Sequence, residues 1–106
     1  VEDTLVMSRL FNPAQENGHS LKTWGYKIGV PKMESPDSFE EYTPDMLKYC
    51  SQDVRLNEYV YDRLLKDSSL FSKDSIDLEH NVAEIIQEQH ENGFAFDDKA
   101  AMTLLI

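Results

Sequence analysis

The sequence predicts a mainly α-helical fold, and three observations lead there. The run from Thr43 to Asp67 repeats apolar residues at three- and four-residue steps, which is one face of a helix. Residues with short oxygen-bearing side chains open each apolar-periodic stretch, as helix N-caps do. Asn12-Pro13, Gly29-Val30-Pro31 and Asn92-Gly93 close three of them, in keeping with helix ends.

Residues 1–11 hold Leu5, Val6, Met7, Leu10 and Phe11, a density that suits either a buried strand or a short helix. Asp3-Thr4 can cap a helix, so a helix is expected, ending before Asn12-Pro13. Residues 13–18 read as a polar loop. His19-Ser20 then precedes a second helix with Leu21, Trp24 and Ile28 inward and Gly29 just past its end. Gly25 inside it costs about 1 kcal/mol against alanine and suits a close approach of another segment.

Residues 32–42 are polar, acidic and broken by Pro36, which reads as a loop with one helical turn over residues 38–42. The third helix opens at Thr43 as N-cap, with Pro44 in the first position and Asp45 in the positive first turn. Its expected inward stripe is Leu47, Cys50, Val54, Tyr61, Leu64 and Leu65. Residues 67–75 form a Ser-rich connector, with Leu70 and Phe71 tucked against a neighbour. Asp74 or Ser75 caps a fourth helix whose inward residues are Leu78, Val82, Ile85 and Ile86, and Asn92-Gly93 stops it in a left-handed cap. Phe94-Ala95-Phe96 is too short to assign. Asp97 caps a fifth helix with Ala100, Ala101, Leu104 and Leu105. The uncapped start and finish suggest a piece of a longer chain.

Composition narrows the chemistry. At 106 residues the chain is one small domain. Twenty acids against ten bases give a net charge of −10, which argues against a basic nucleic-acid clamp but not against a metal-dependent nuclease, whose centre is acidic. The single cysteine, Cys50, excludes an intrachain disulfide and a cysteine zinc set, and its place on the apolar stripe predicts a buried, inert thiol. No apolar run reaches the roughly 20 residues of a membrane span.

His19, His80 and His90 form no zinc pattern, and His80 and His90 are expected on helix surfaces. No glycine-rich phosphate loop or nucleophile elbow is present. The acidic residues 37–41 and 97–98 read as solvated faces or caps. Trp24 with Tyr26, and Phe94 with Phe96, could stack on bases, but a core role is the stronger reading. Tyr49 and Asp53, four apart, stack one turn above each other beside the apolar stripe. On spacing alone they are an ordinary surface pair; the alternative is half of a metal site.

Four stretches taken together point further. DTLVMSRL, GHSLKTWGYKIG, YCSQDVRLNEYVYDRL and LEHNVAEIIQEQHENGFAFD, in this order, resemble the family A DNA polymerases of short-tailed phages and, more distantly, bacterial DNA polymerase I. The resemblance covers nearly the whole chain apart from the loop before Thr43. It implies that residues 1–69 are the C-terminal part of a DEDDy 3′–5′ proofreading exonuclease, whose parent fold is α/β and ribonuclease H-like. It makes residues 70–106 a connector and the first helices of the polymerase domain. Tyr-x-x-x-Asp is then the third exonuclease motif, with Asp53 a ligand to Mg2+ and Tyr49 orienting the attacking water.

The family's two-ion site takes its other carboxylates from two motifs absent here, so the isolated chain is expected to bind Mg2+ weakly and to cut nothing. The implied partners are a DNA 3′ end, dNTPs and the remainder of the polymerase chain, in the cytoplasm of an infected cell. Helices that normally cover a sheet would here expose their inward stripes, which favours self-association. Two other readings are a ribonuclease D-like nuclease fragment and a non-enzymatic acidic helical module. Asp53 buried against a lysine or arginine and turned from any cleft would leave only the last of these.

Overall fold

The computed structural model describes all 106 residues and contains helices without strands, as the mainly α expectation requires. The five helices are α1 (Thr4–Phe11), α2 (Leu21–Ile28), α3 (Pro44–Ser68), α4 (Lys73–Asn92) and α5 (Asp98–Leu105). Their starts are set by local chemistry. The side chains of Asp3, Ser20, Thr43, Ser72 and Asp97 each accept a backbone N–H from the first turn of the helix that follows. Gly29 ends α2 in the left-handed conformation, with φ 86° and ψ 18°.

α3, about 38 Å long at 1.5 Å per residue, is the spine. α1 and α2 both pack on it, α4 packs on α1, and α5 touches no other helix. The core is small: Met7 from α1, Trp24 from α2, and Leu56, Val60 and Leu64 from α3, with Phe11, Leu21, Ile28, Val30 and Tyr61 against its edge. The Cα radius of gyration is 18.5 Å, where a compact chain of this length has roughly 13 Å. The α4–α5 arm accounts for an extended shape with little interior.

One polar group lies in this core. Ser8 is buried; its hydroxyl accepts the Trp24 indole N–H at 2.9 Å and sits 2.7 Å from His19 Nδ1. Beside it, Gly25 allows the chain after α2 to fold back. A Cβ there would stand 2.8 Å from the Val30 carbonyl oxygen and 3.2 Å from Leu56 Cδ2. The close approach expected of Gly25 is therefore real, and it sets the path of residues 30–32.

Several expectations need correcting. α3 does not bury the predicted stripe: Leu47, Val54 and Leu65 are exposed, and so is Cys50, whose thiol is not shielded. The buried line is Leu56, Val60 and Leu64, and it continues toward the N-terminus through the half-buried Asp53 and Tyr49 at the same three- and four-residue steps. The Tyr-Asp pair is thus on the inward line, not beside it. Residues 38–42 make bends without a helical turn.

The expected connector shrinks to residues 69–72, because α3 runs through Asp67 and Ser68 and Ser72, not Asp74 or Ser75, caps α4. Phe71 stacks on Phe11 with ring centroids 4.7 Å apart, while Leu70 stays exposed. Gly93 has φ 64° but ψ −165°, outside the left-handed helical region that was expected.

On α4 the predicted inward residues Leu78, Val82, Ile85 and Ile86 are exposed. The half-buried positions are instead Ile76, His80 and Ala83. His80 is no free surface residue: its Nε2 accepts the Asp3 backbone N–H at 2.8 Å, and its Nδ1 lies 2.8 Å from the Ile76 carbonyl. Of the four aromatic residues assigned to a core, only Trp24 is in one; Tyr26, Phe94 and Phe96 are exposed, Phe94 by 90%. No helix is long and apolar enough to cross a membrane.

Candidate active site

The N-terminal half of α3 presents Tyr49 and Asp53 to an open hollow of about 520 Å3, lined by Phe39, Met46, Tyr49, Cys50, Asp53, Val54 and Asn57. Thr43 and Pro44 fix where the helix begins and hence its rotation. The loop between α2 and α3 closes over this end. Phe39 meets the Tyr49 ring edge-on with centroids 6.1 Å apart.

From the same loop Lys32 reaches both site residues. Its Nζ lies 3.4 Å from Asp53 Oδ2 and 4.9 Å from the centre of the Tyr49 ring. Polar contact with the Tyr49 side chain, foremost, raises the Lys32 ammonium above its usual range; desolvation opposes this, and the Asp53 charge adds to the rise. Nearby, Thr4 donates from its hydroxyl to Asn57 Oδ1 at 2.7 Å, tying α1 to the hollow's rim.

The two oxygens of Asp53 differ. Oδ2 faces Lys32, whereas Oδ1 is shielded from solvent with no hydrogen-bond partner. An acceptor left in that state costs about 1–3 kcal/mol, so this carboxylate has unused binding capacity. A hard divalent cation takes carboxylate oxygen of this kind. The donor type therefore fits Mg2+, with Asp53 as the one ligand offered. The number of donors does not complete a site, because no three His, Cys, Asp or Glu side chains of the chain converge. A two-ion centre here needs carboxylates from outside this chain.

Asp53 does have a lysine partner, one of the two conditions set against a nuclease reading. The other is not met: both side chains of the ion pair are 25% exposed, and Asp53 lines the hollow. A larger dip of about 750 Å3 between residues 12–17 and α2 is lined by neither Tyr49 nor Asp53, and Tyr26 is its one apolar side chain.

Lys32 and Phe39 were not found by sequence reasoning. They lie in the acidic, Pro-broken loop, and no local pattern joins either of them to Tyr49 or Asp53.

Comparison with known proteins shows where such a pair belongs. The chain is 29% identical over 155 aligned residues to the DNA-directed DNA polymerase of Escherichia phage T7, and equally to that of Enterobacteria phage T3. Each alignment takes in 98% of this chain.

The chain is related to phage DNA polymerases.

It spans 22% of the length of each of these relatives. The alignments are longer than the chain's 106 residues, so the phage polymerases carry inserted segments with no counterpart here. No family model matches the chain, and no solved structure matches it.

Proposed function

We propose that this chain is the part of a phage-type, family A DNA polymerase that carries the third motif of its 3′–5′ proofreading exonuclease and leads into the polymerase domain. Residues 1–69 belong to the exonuclease and residues 70–106 to the connector and first polymerase helices. The observation that carries this reading is the Tyr49–Asp53 pair on the rim of an open hollow, with Asp53 Oδ1 unpartnered, in a chain matched along 98% of its length to phage polymerases.

In the assembled enzyme the divalent ions supply charge neutralisation at the scissile phosphate and an activated water. This chain's share is narrower. Asp53 contributes one carboxylate ligand, held at a fixed height by the capped start of α3. Tyr49, one turn away, brings a phenol to the same side of the helix, where it can orient the water. Phe39 flanks the Tyr49 ring and limits its motion. The chain alone offers too few carboxylates to hold two ions, so it is inactive by itself. The remaining acidic ligands, the DNA 3′ end and the dNTPs meet in the whole polymerase, in the cytoplasm of an infected cell.

The test is the gene itself. The reading frame before Val1 should encode an Asp-x-Glu motif and a further acidic motif, and the frame after Ile106 should encode polymerase motifs. A frame that encodes acidic motifs upstream but no polymerase downstream would favour the ribonuclease D-like alternative. A frame with neither would leave a helical interaction module.

A further inference from the structure

We propose that Lys32 is the resident counter-cation of this site, a positioning residue that holds Asp53 when no metal is bound and yields to a divalent ion when one arrives. The inference rests on the reading of Asp53 as a metal ligand and adds a partner that this reading leaves out.

Two observations carry it. First, Lys32 Nζ stands 3.4 Å from Asp53 Oδ2 and 4.9 Å over the Tyr49 ring, so one ammonium touches both residues of the motif. A carboxylate on a half-buried helix face is costly without a cation, and Lys32 supplies the charge. Second, the pairing is incomplete. Only Oδ2 is engaged; Oδ1 has no partner, although a carboxylate can accept several bonds. A better-fitting cation would satisfy more of Asp53 than Lys32 does.

The backbone makes exchange feasible. Lys32 lies outside any helix, on a segment laid against Gly25, while its side chain crosses to α3 on four rotatable carbons. The head group can leave Asp53 without unfolding a helix. A divalent ion that takes Oδ2 must displace it, because two cations cannot share that oxygen at close range without strong repulsion. The freed ammonium, still tethered beside Tyr49, is then available to a phosphate oxygen. No bond is made or broken in this exchange; one cation replaces another.

The experiment uses the 106-residue chain and Mn2+ alone, with paramagnetic broadening of the Asp53 and Tyr49 NMR signals as the readout. In the wild type, broadening should centre on Asp53, and Asp53→Asn should abolish it. Lys32→Met should reach half-broadening at roughly fivefold lower Mn2+, and Lys32→Arg should keep the wild-type midpoint.

A diamagnetic Mg2+ titration of the wild type gives a second test that needs no variant. The Lys32 Cε signal should move in step with Asp53. Equal midpoints for wild type and a folded Lys32→Met, or Asp53 shifting while Lys32 Cε stays still, overturns the counter-cation role and leaves the metal-ligand reading standing. No effect at Asp53 in any form overturns both.

Discussion

The indole of Trp24 donates its Nε1–H to the buried hydroxyl of Ser8 at 2.9 Å, joining α2 to α1 above the middle of α3. This bond sits among Met7, Leu56, Val60 and Leu64, the whole of the hydrophobic centre. Replacing Ser8 by alanine leaves a buried N–H without an acceptor. We expect a loss of about 1–3 kcal/mol, read by urea unfolding of wild type and variant. A stability change within 0.5 kcal/mol, the range of ordinary surface substitutions, would show that the bond is not needed.

Gly25→Ala should do more than fill a gap. The new methyl would meet the Val30 carbonyl oxygen at 2.8 Å, and that oxygen is backbone and cannot swing aside. Residues 30–32 must then move off α2. The expected cost is about 1–3 kcal/mol, together with loss of the Lys32–Asp53 contact, which the Lys32 and Asp53 side-chain NMR shifts report. Unchanged stability and unchanged shifts would contradict the assigned role of this glycine.

His80→Leu should loosen α4 from α1. The imidazole accepts the Asp3 N–H at the start of α1 and lies against the Ile76 carbonyl of its own helix. Leucine keeps apolar volume and removes the acceptor. Amide exchange at Asp3 and along the first turns of α4 should rise by roughly five- to tenfold, in line with about 1 kcal/mol for one hydrogen bond. Exchange confined to wild-type rates would mean that apolar packing alone holds the arm.

The Lys32 ammonium has a definite pH signature. Its pKa is raised above 10.5, first by contact with Tyr49 and then, against desolvation, by Asp53. A raised cationic pKa adds stability that is complete below the unfolded value and is lost as pH climbs through the folded value. The contact should therefore be constant through neutral pH and fail only in alkali above 10.5. A Cε titration placing Lys32 at or below 10.5 would contradict the contact geometry.

What the sequence made legible was local. Asp3, Ser20, Thr43-Pro44 and Asp97 announce helix starts within a turn of themselves, and Gly29 announces an end, so α1, α2, α3 and α5 could be placed from short patterns. The start of α4 was harder, because Ser72, Asp74 and Ser75 are all competent caps in a row. The rotation of α3 was misread for a physical reason. Apolar residues ring much of that helix, and the line that is buried passes through a tyrosine and an aspartate, which polarity alone assigns to the outside.

On α4 the apolar stripe was visible, but nothing within the chain covers it. At the site, Tyr49 and Asp53 could be found because they are one turn apart. Lys32 and Phe39 could not, since they meet the pair only when the loop folds back across α3.

The account stands most directly on Asp53, and its test is Asp53→Ala in a full polymerase containing this chain, assayed for removal of a mismatched 3′ nucleotide and, separately, for primer extension. We predict that mismatch removal falls by a factor of roughly a hundred or more, as loss of about 3 kcal/mol of transition-state stabilisation requires, with extension unchanged. Undiminished mismatch removal would contradict the assignment of Asp53 and of the motif it belongs to.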